Sequence, residues 1–209
     1  FITSVIKSVK QSLQEAASTL ERNSALDEMT QHSTLVKFAE RTPSLRALIA
    51  TDKLGSVYID STLYPSRRES INDRIYVQQA FLKTDKSFYI SPPLISRRTN
   101  RPFIAVSRAL LDINKESIGT LSAIITPALL IKSDLLCQNC TISIYDNSYK
   151  KIVSYPDSFI HTGSFIQELQ KRDLPCEIDF EQDGNFLTSS TFQINEFNLF
   201  VVVSKMKTS

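Results

Sequence analysis

From the start of the chain, apolar positions fall at Ile2, Ile6, Val9, Leu13 and Leu20, mostly three or four residues apart, and no proline precedes Pro43. That spacing predicts one long amphipathic helix, or two, over residues 2 to about 40. Ser24 followed by Asp27 has the form of a capping box, so Asn23 and Ser24 mark the expected break. The apolar stripe has two possible uses: packing on the domain that follows, or pairing with the same helix of a second copy to make a homodimer. After Pro43 the period changes to two. "LRALIAT" and "SVYIDST" flank the turn "DKLG", with Gly55 supplying the turn conformation, and predict a β-hairpin.

"STLYPSRRESIN" reads as a loop and "DRIYVQQAFLKT" as a helix capped by Asp73. Three strands are then expected at "FYISPPLI", "RPFIAVSRALLD" and "SIGTLSAIIT", separated by the turns "SRRTN" and "INKE". The order β-β-α-β-β-β implies an antiparallel sheet with helices on one face, and the cleft between helix and sheet is the natural small-molecule pocket of such a unit. A weaker copy of the first hairpin follows, in which "YDNSYKKIV" parallels "TDKLGSVYI". A helix at "SFIQELQK" and strands at "CEIDFEQ", "FLTSSTFQI" and "FNLFVVVSK" complete a smaller unit. The expected organisation is a helical segment over 1–44, a ligand-binding lobe over 45–132 and a smaller lobe over 133–209, an α+β fold throughout.

Composition narrows the partners. With 42% hydrophobic residues among 209, the chain can bury an ordinary core, and 24 Lys and Arg against 22 Asp and Glu leave a net charge of only +2. That balance gives no reason to expect nucleic acid as a partner. The longest apolar run, Leu121 to Ile131, contains Pro127 and is too short to cross a bilayer. The chain begins at Phe1 and ends after a strongly apolar strand, as an excised piece of a longer protein would.

Candidate chemistry is sparse. The four glycines form no phosphate-cradling loop, His32 and His161 show no metal-ligand spacing, and no nucleophile elbow is present, so neither catalytic residues nor a metal or other cofactor is expected. Of the three cysteines, Cys137 and Cys140 can close a small loop, or one of them can pair with Cys176. "TISIYD" after the pair is β-rich, which argues against a thioredoxin-like helix start.

One position stands out. Helical spacing places Arg74 on the same face as Val77 and Phe81, a guanidinium in a stripe that should point inward. It either faces the cleft as a planar donor fork for a carboxylate or forms an internal ion pair with Asp73, Glu69 or Asp112. Tyr76 and Tyr89 can wall the same cleft, and Ser91, Ser107 and Arg108 lie on its strands, although alternation sends Ser107 and Arg108 to opposite faces. Arg97, Arg98 and Arg101 on the "SRRTNR" turn are either a solvated hairpin tip or a mouth that attracts anions.

The long first helix, the hairpin ending Asp-x-x-Gly, Asp73-Arg74-x-Tyr76, and the block Ser91-Pro92, Ser96, Thr99, Arg101-Pro102 and Ser107 together resemble the double Cache (PAS-like, PDC) sensor domains found outside the membrane in bacterial receptors. The resemblance covers nearly the whole chain and is strongest over 45–130. It implies a membrane-distal lobe that binds a small ligand, a proximal lobe that relays the signal, flanking membrane spans, and a cytoplasmic output of the diguanylate cyclase or histidine kinase type. Amino-acid-binding members carry Arg-x-Trp-Tyr in the helix and Tyr-x-Asp after the proline-containing strand. Here these positions read Arg74-Ile75-Tyr76-Val77 and Leu94-Ile95-Ser96, which keeps the arginine and loses the acid for an α-amino group. The resemblance therefore points to a carboxylate or other anion rather than an amino acid. The rival reading is a ligand-free dimerisation or protein-interaction domain.

Overall fold

The computed structural model describes residues 1–132 and 137–207, and the chain divides into a unit of residues 2–126 and a second of residues 127–209 that also takes Phe1. In the first unit, α1 (Ile2–Arg22) and α2 (Glu28–Glu40) precede β1 (Leu45–Asp52) and β2 (Val57–Asp60). Then come α3 (Ile75–Phe81), β3 (Tyr89–Ile90), β4 (Leu94–Ile95), β5 (Pro102–Leu111) and β6 (Ser117–Ile125). The strands form an antiparallel sheet in the order β2-β1-β6-β5-β3, with β4 pairing β5 beyond the end of β3. The break in the α1–α2 stretch falls where it was expected, but the cap is Asp27, whose carboxylate accepts the Thr30 amide, and not Ser24. Pro92 and Pro93 split the single strand expected at "FYISPPLI" into β3 and β4, since neither can donate to a ladder.

Helices cover both faces of this sheet, not one. The α1 stripe Val9, Leu13, Ala16, Ala17 and Leu20 packs with Leu35 of α2 on Leu48, Ala50, Val106, Leu110, Leu121 and Ala123. On the other face Tyr76 and Val77 of α3 pack on Ala47, Phe103, Ala105 and Ile124. Two-sided burial explains why β5 and β6 read as continuous apolar runs rather than alternating ones.

The second unit opens with a 3-10 turn (Pro127–Leu130) and continues with β7 (Cys140–Asp146), β8 (Lys151–Tyr155) and α4 (Gly163–Leu169). It ends with β9 (Cys176–Gln182), β10 (Asn185–Ile194) and β11 (Leu199–Met206). Its sheet runs β8-β7-β11-β10-β9, the same order of hairpins and crossovers as the first. Thr162 caps α4, and Tyr145, Phe165, Leu169, Ile178, Phe200 and Val202 form the core beneath it. Cys137 and Cys140 are joined as a disulfide, while Cys176 is a free, half-buried thiol.

The repeated hairpin has a common chemistry. Asp52 Oδ1 accepts the amides of Leu54 and Ser56, Asp146 Oδ1 those of Ser148 and Lys150, and Asp112 Oδ1 those of Asn114 and Glu116. Each turn needs a left-handed residue three positions after its aspartate: Gly55 at φ 78°, Tyr149 at φ 60° and Lys115 at φ 64°. Only the first must be glycine, because a Cβ on Gly55 would lie 2.6 Å from the Cβ of Asn72.

Two buried polar groups anchor the units. Arg108, with no exposed surface, donates to Gln14 Oε1 at 2.6 Å and Glu21 Oε1 at 2.7 Å, tying β5 to α1. Glu21 Oε1 also accepts the Leu111 amide at 3.0 Å. In the second unit His161 is bonded at both ring nitrogens, Nδ1 to the Tyr145 hydroxyl at 2.6 Å and Nε2 to Ser204 Oγ at 3.0 Å. It stacks on Phe165, and burial, helped by the charge of Lys151, pushes its pKa down from 6.5 to about 4.

Removing one partner of a buried ion pair leaves an uncompensated charge, so Glu21→Ala is expected to cost about 3 kcal/mol in urea unfolding. Arg108→Met, which leaves no buried cation behind, is expected to cost less. For His161 the unfolded chain takes up a proton near pH 6.5 and the folded chain only near pH 4, so stability is full above about 6.5 and falls as the pH drops through that window. The loss should total about 3 kcal/mol at 1.36 kcal/mol per pKa unit. Unfolding curves of wild type and His161→Phe across pH 4 to 7 should diverge accordingly, the variant showing the shallower slope.

Candidate functional site

Within the first unit, the α3 face of the sheet holds a cavity of about 220 Å³. Its floor is Ala47 and Ile49 of β1, Phe103 of β5 and Ile124 of β6. Arg74 and Tyr76 of α3 and the 69–71 segment form one wall, and the turn Ser96–Thr99 between β4 and β5 stands at the mouth. Tyr76 meets Phe103 edge to face at 5.8 Å. Burial raises the Tyr76 pKa, and the neighbouring Arg74 charge pulls against that rise.

Charge in the cavity is sorted into used and unused groups. Asp60, almost fully buried at the end of β2, accepts the Thr62 amide and hydroxyl on Oδ1 and Arg98 Nη1 at 2.6 Å on Oδ2. Arg97 is paired with Asp73, which holds that carboxyl below its usual range. Asp73 therefore does not cap α3, whose N-cap is Arg74 without a side-chain hydrogen bond; the aspartate is taken by the turn. The two arginines read as a hairpin tip or an anion mouth thus also tie the turn to two walls of the cavity. Arg74 Nη2 donates to the Ile95 carbonyl at 2.7 Å, and its guanidinium lies 5.8 Å from the Phe103 ring centre. Among the described residues no carboxylate lies within ion-pair distance of Arg74, so the internal pair considered for it is not formed.

Of the other residues expected at a ligand site, Tyr76 joins Arg74 in the cavity lining and four do not. Tyr89 is half-buried against the Tyr76–Phe103 cluster, where burial raises its pKa. Ser91 bonds to Ala105 in both directions, its amide donating at 2.8 Å and its Oγ accepting at 2.9 Å, so it fixes the β4 approach. Ser107 Oγ donates to Ser122 Oγ at 2.8 Å inside the sheet. Arg108 points to the α1 face, as alternation from Ser107 requires, and is occupied there. The cavity adds residues that sequence reasoning passed over, Arg46, Asp60, Thr62 and Ser70, and places in its lining Glu69, which the sequence offered only as an ion-pair partner. Asp60 carried a signal, an acid closing an apolar strand two residues before a threonine, the pattern of an Asx turn.

No protein-family model and no curated protein sequence matches the chain. Solved structures do match its fold. The extracellular domain of the candidate histidine kinase rpHK1S-Z16 superposes with a TM-score of 0.85 at 17% identity, covering 98% of this chain and 88% of that one. The ligand-binding domain of the Pseudomonas fluorescens chemoreceptor CtaA, in complex with L-isoleucine, gives 0.77 at 15% identity over 99% and 86%. The ligand-binding domain of Mlp24 with asparagine gives 0.68 at 16% identity over 99% and 86%. The two-lobed α+β fold of this chain is the fold that these extracellular and ligand-binding domains share.

The sorting of charges can be checked by stability alone. Arg74→Ala removes its hydrogen bonds to the Ile95 carbonyl and to Tyr76 but unpairs no buried charge, and should change the unfolding free energy by about 1 kcal/mol. Asp60→Ala strips three hydrogen bonds from a buried carboxylate and should cost about 2 kcal/mol, read as the shift in urea midpoint.

Proposed function

We propose that this chain is the extracytoplasmic ligand-sensing segment of a membrane receptor, and that the cavity under α3 receives a small carboxylate held by Arg74. The observation that carries this reading is a half-buried guanidinium lining the cavity with no carboxylate partner among the described residues. Most donors of its planar fork are left for a ligand, and the site is partly dry, where charge-assisted bonds are strongest. Tyr76 and Phe103 supply an aromatic wall for the ligand's carbon skeleton.

The shared fold with sensor domains supports the extracytoplasmic placement, and the extracellular domain of a candidate histidine kinase among the similar structures supports a kinase output, with a diguanylate cyclase as the alternative. Binding would act by favouring one conformational state of the receptor over another, by no more than its difference in affinity for the two. Segments outside residues 1–209 would carry the membrane spans; among the described residues no helix is long and apolar enough to cross a membrane.

A specific observation supports a second ligand class. Glu69 is exposed at the cavity wall, and two of the similar structures hold amino acids, so a zwitterion with its ammonium on Glu69 also fits the charges.

Thermal shifts of the chain against small carboxylates, amines and amino acids test the reading. A ligand at a hundred times its dissociation constant adds about 2.7 kcal/mol, a rise of several degrees for a chain of this size. Carboxylates are expected to raise the midpoint in wild type and not in Arg74→Ala. Hits confined to amino acids and lost in Glu69→Gln would replace the simple carboxylate by a zwitterion. Hits confined to amines would overturn the reading, and so would a shift that survives Arg74→Ala.

A further inference from the structure

A second unused guanidinium lines the same cavity, and its position has a structural cause. On strict alternation Arg46 would share the face of Leu48 and Ala50, under α1 and α2. The β1–β6 ladder instead shifts register between Leu45 and Ala47: Leu45 opposes Ile125 and Ala47 opposes Ile124, leaving Arg46 as an extra residue. Such a bulge turns one side chain to the other face. Leu45 still packs on the face under α1 and α2, Ala47 already belongs to the α3 face, and Arg46 between them lines the cavity.

Arg46 donates to a backbone carbonyl, that of Pro102 at 3.3 Å, and no carboxylate among the described residues is within ion-pair distance of it. Its guanidinium carbon lies 5.7 Å from the Phe103 ring centre, against 5.8 Å for Arg74. Two free cations thus flank one aromatic floor residue and stand no further apart than the sum of those radii. The acids that line the cavity act on other cations: Asp60 is saturated by Thr62 and Arg98, and Glu69 lies close enough to Arg97 to help raise that arginine's pKa. Burial lowers the Arg46 pKa, and the neighbouring charge that adds to this is another cation, Arg101.

We infer that the cavity is built for a dianion, a short-chain dicarboxylate whose two carboxylates engage Arg74 and Arg46 while its carbon chain lies over Phe103. This rests on the carboxylate reading of the site and adds the second anchor. Two guanidiniums left unpaired on one apolar floor repel each other, and a ligand with a single carboxylate can neutralise only one of them. The dianion neutralises both, so selectivity follows from the group a monocarboxylate would leave uncompensated.

Isothermal titration of the chain with succinate and with butyrate, which has the same number of carbons and one carboxylate, separates the two levels of the argument. Wild type is expected to bind succinate at least tenfold more tightly than butyrate. Arg46→Gln should bring succinate down to the butyrate level and leave butyrate unchanged, whereas Arg74→Gln should weaken both. A melting midpoint of Arg46→Gln equal to that of the wild type excludes misfolding as the cause. Equal affinities for succinate and butyrate in wild type, or a succinate preference that survives Arg46→Gln, would overturn the dianion site and leave the carboxylate reading standing. No binding of either acid to wild type would overturn both.

Discussion

The α3 face of the first sheet is longer than the helix that covers it. Seven residues of helix span about 10 Å, whereas the ten-residue strand β5 runs for about 34 Å. The opposite face has no such shortfall, because the 21 residues of α1 and the 13 of α2 both lie on it. Whatever the sheet leaves uncovered beside α3 must be closed by loops, and loops bring polar groups and backbone carbonyls rather than apolar side chains. The cavity is the consequence: an apolar floor from β1, β5 and β6, with arginines, acids and hydroxyls around it.

Within that ring of charge, pairing decides which groups are structural. Arg98 and Asp60 join the β4–β5 turn to the end of β2, and Arg97 and Asp73 join it to the start of α3. The same turn then supplies Ser96 and Thr99 to the cavity mouth. Arg108 and Glu21 do the equivalent on the other face, where burial is complete and the pair is braced by Gln14 and the Leu111 amide. What separates Arg74 from these is not exposure but the absence of a counter-charge, and only an unpaired cation gains from a bound anion.

Strands were readable where local rules decide the outcome. The two apolar hairpins, with their aspartates and left-handed turn residues, stand close to where the alternation put them, and so do β5, β6, β10 and β11. Errors arose where tertiary partners compete with local ones. Asp73 has the right identity and position to cap α3, yet Arg97, distant in sequence, takes its carboxylate. Arg108 and Ser107 both sit on a strand that borders the cleft, and only the covering of the second face shows where the arginine goes. Arg46 was hidden for a different reason: a bulge breaks the period on which any assignment of faces from sequence depends.

The second lobe shows how far the internal likeness extends. Its strand order repeats the first, and its inner face lies under α4 as the cavity floor lies under α3. The residues on that face differ in kind. Where the first lobe places Ala47, Ile49, Phe103 and Ala105, the second places hydroxyls from Thr141, Ser143, Ser189, Thr191 and Ser204 around His161. One of these oxygens, on Thr141, is buried without a hydrogen-bond partner, which costs stability that an apolar residue of the same size would not. His161 is held neutral by the same surroundings, with both nitrogens bonded, aromatic rings against it and the Lys151 charge adding to the effect of burial. The two inner faces thus differ in side-chain chemistry, and the repeat in topology is not a repeat in the groups it presents.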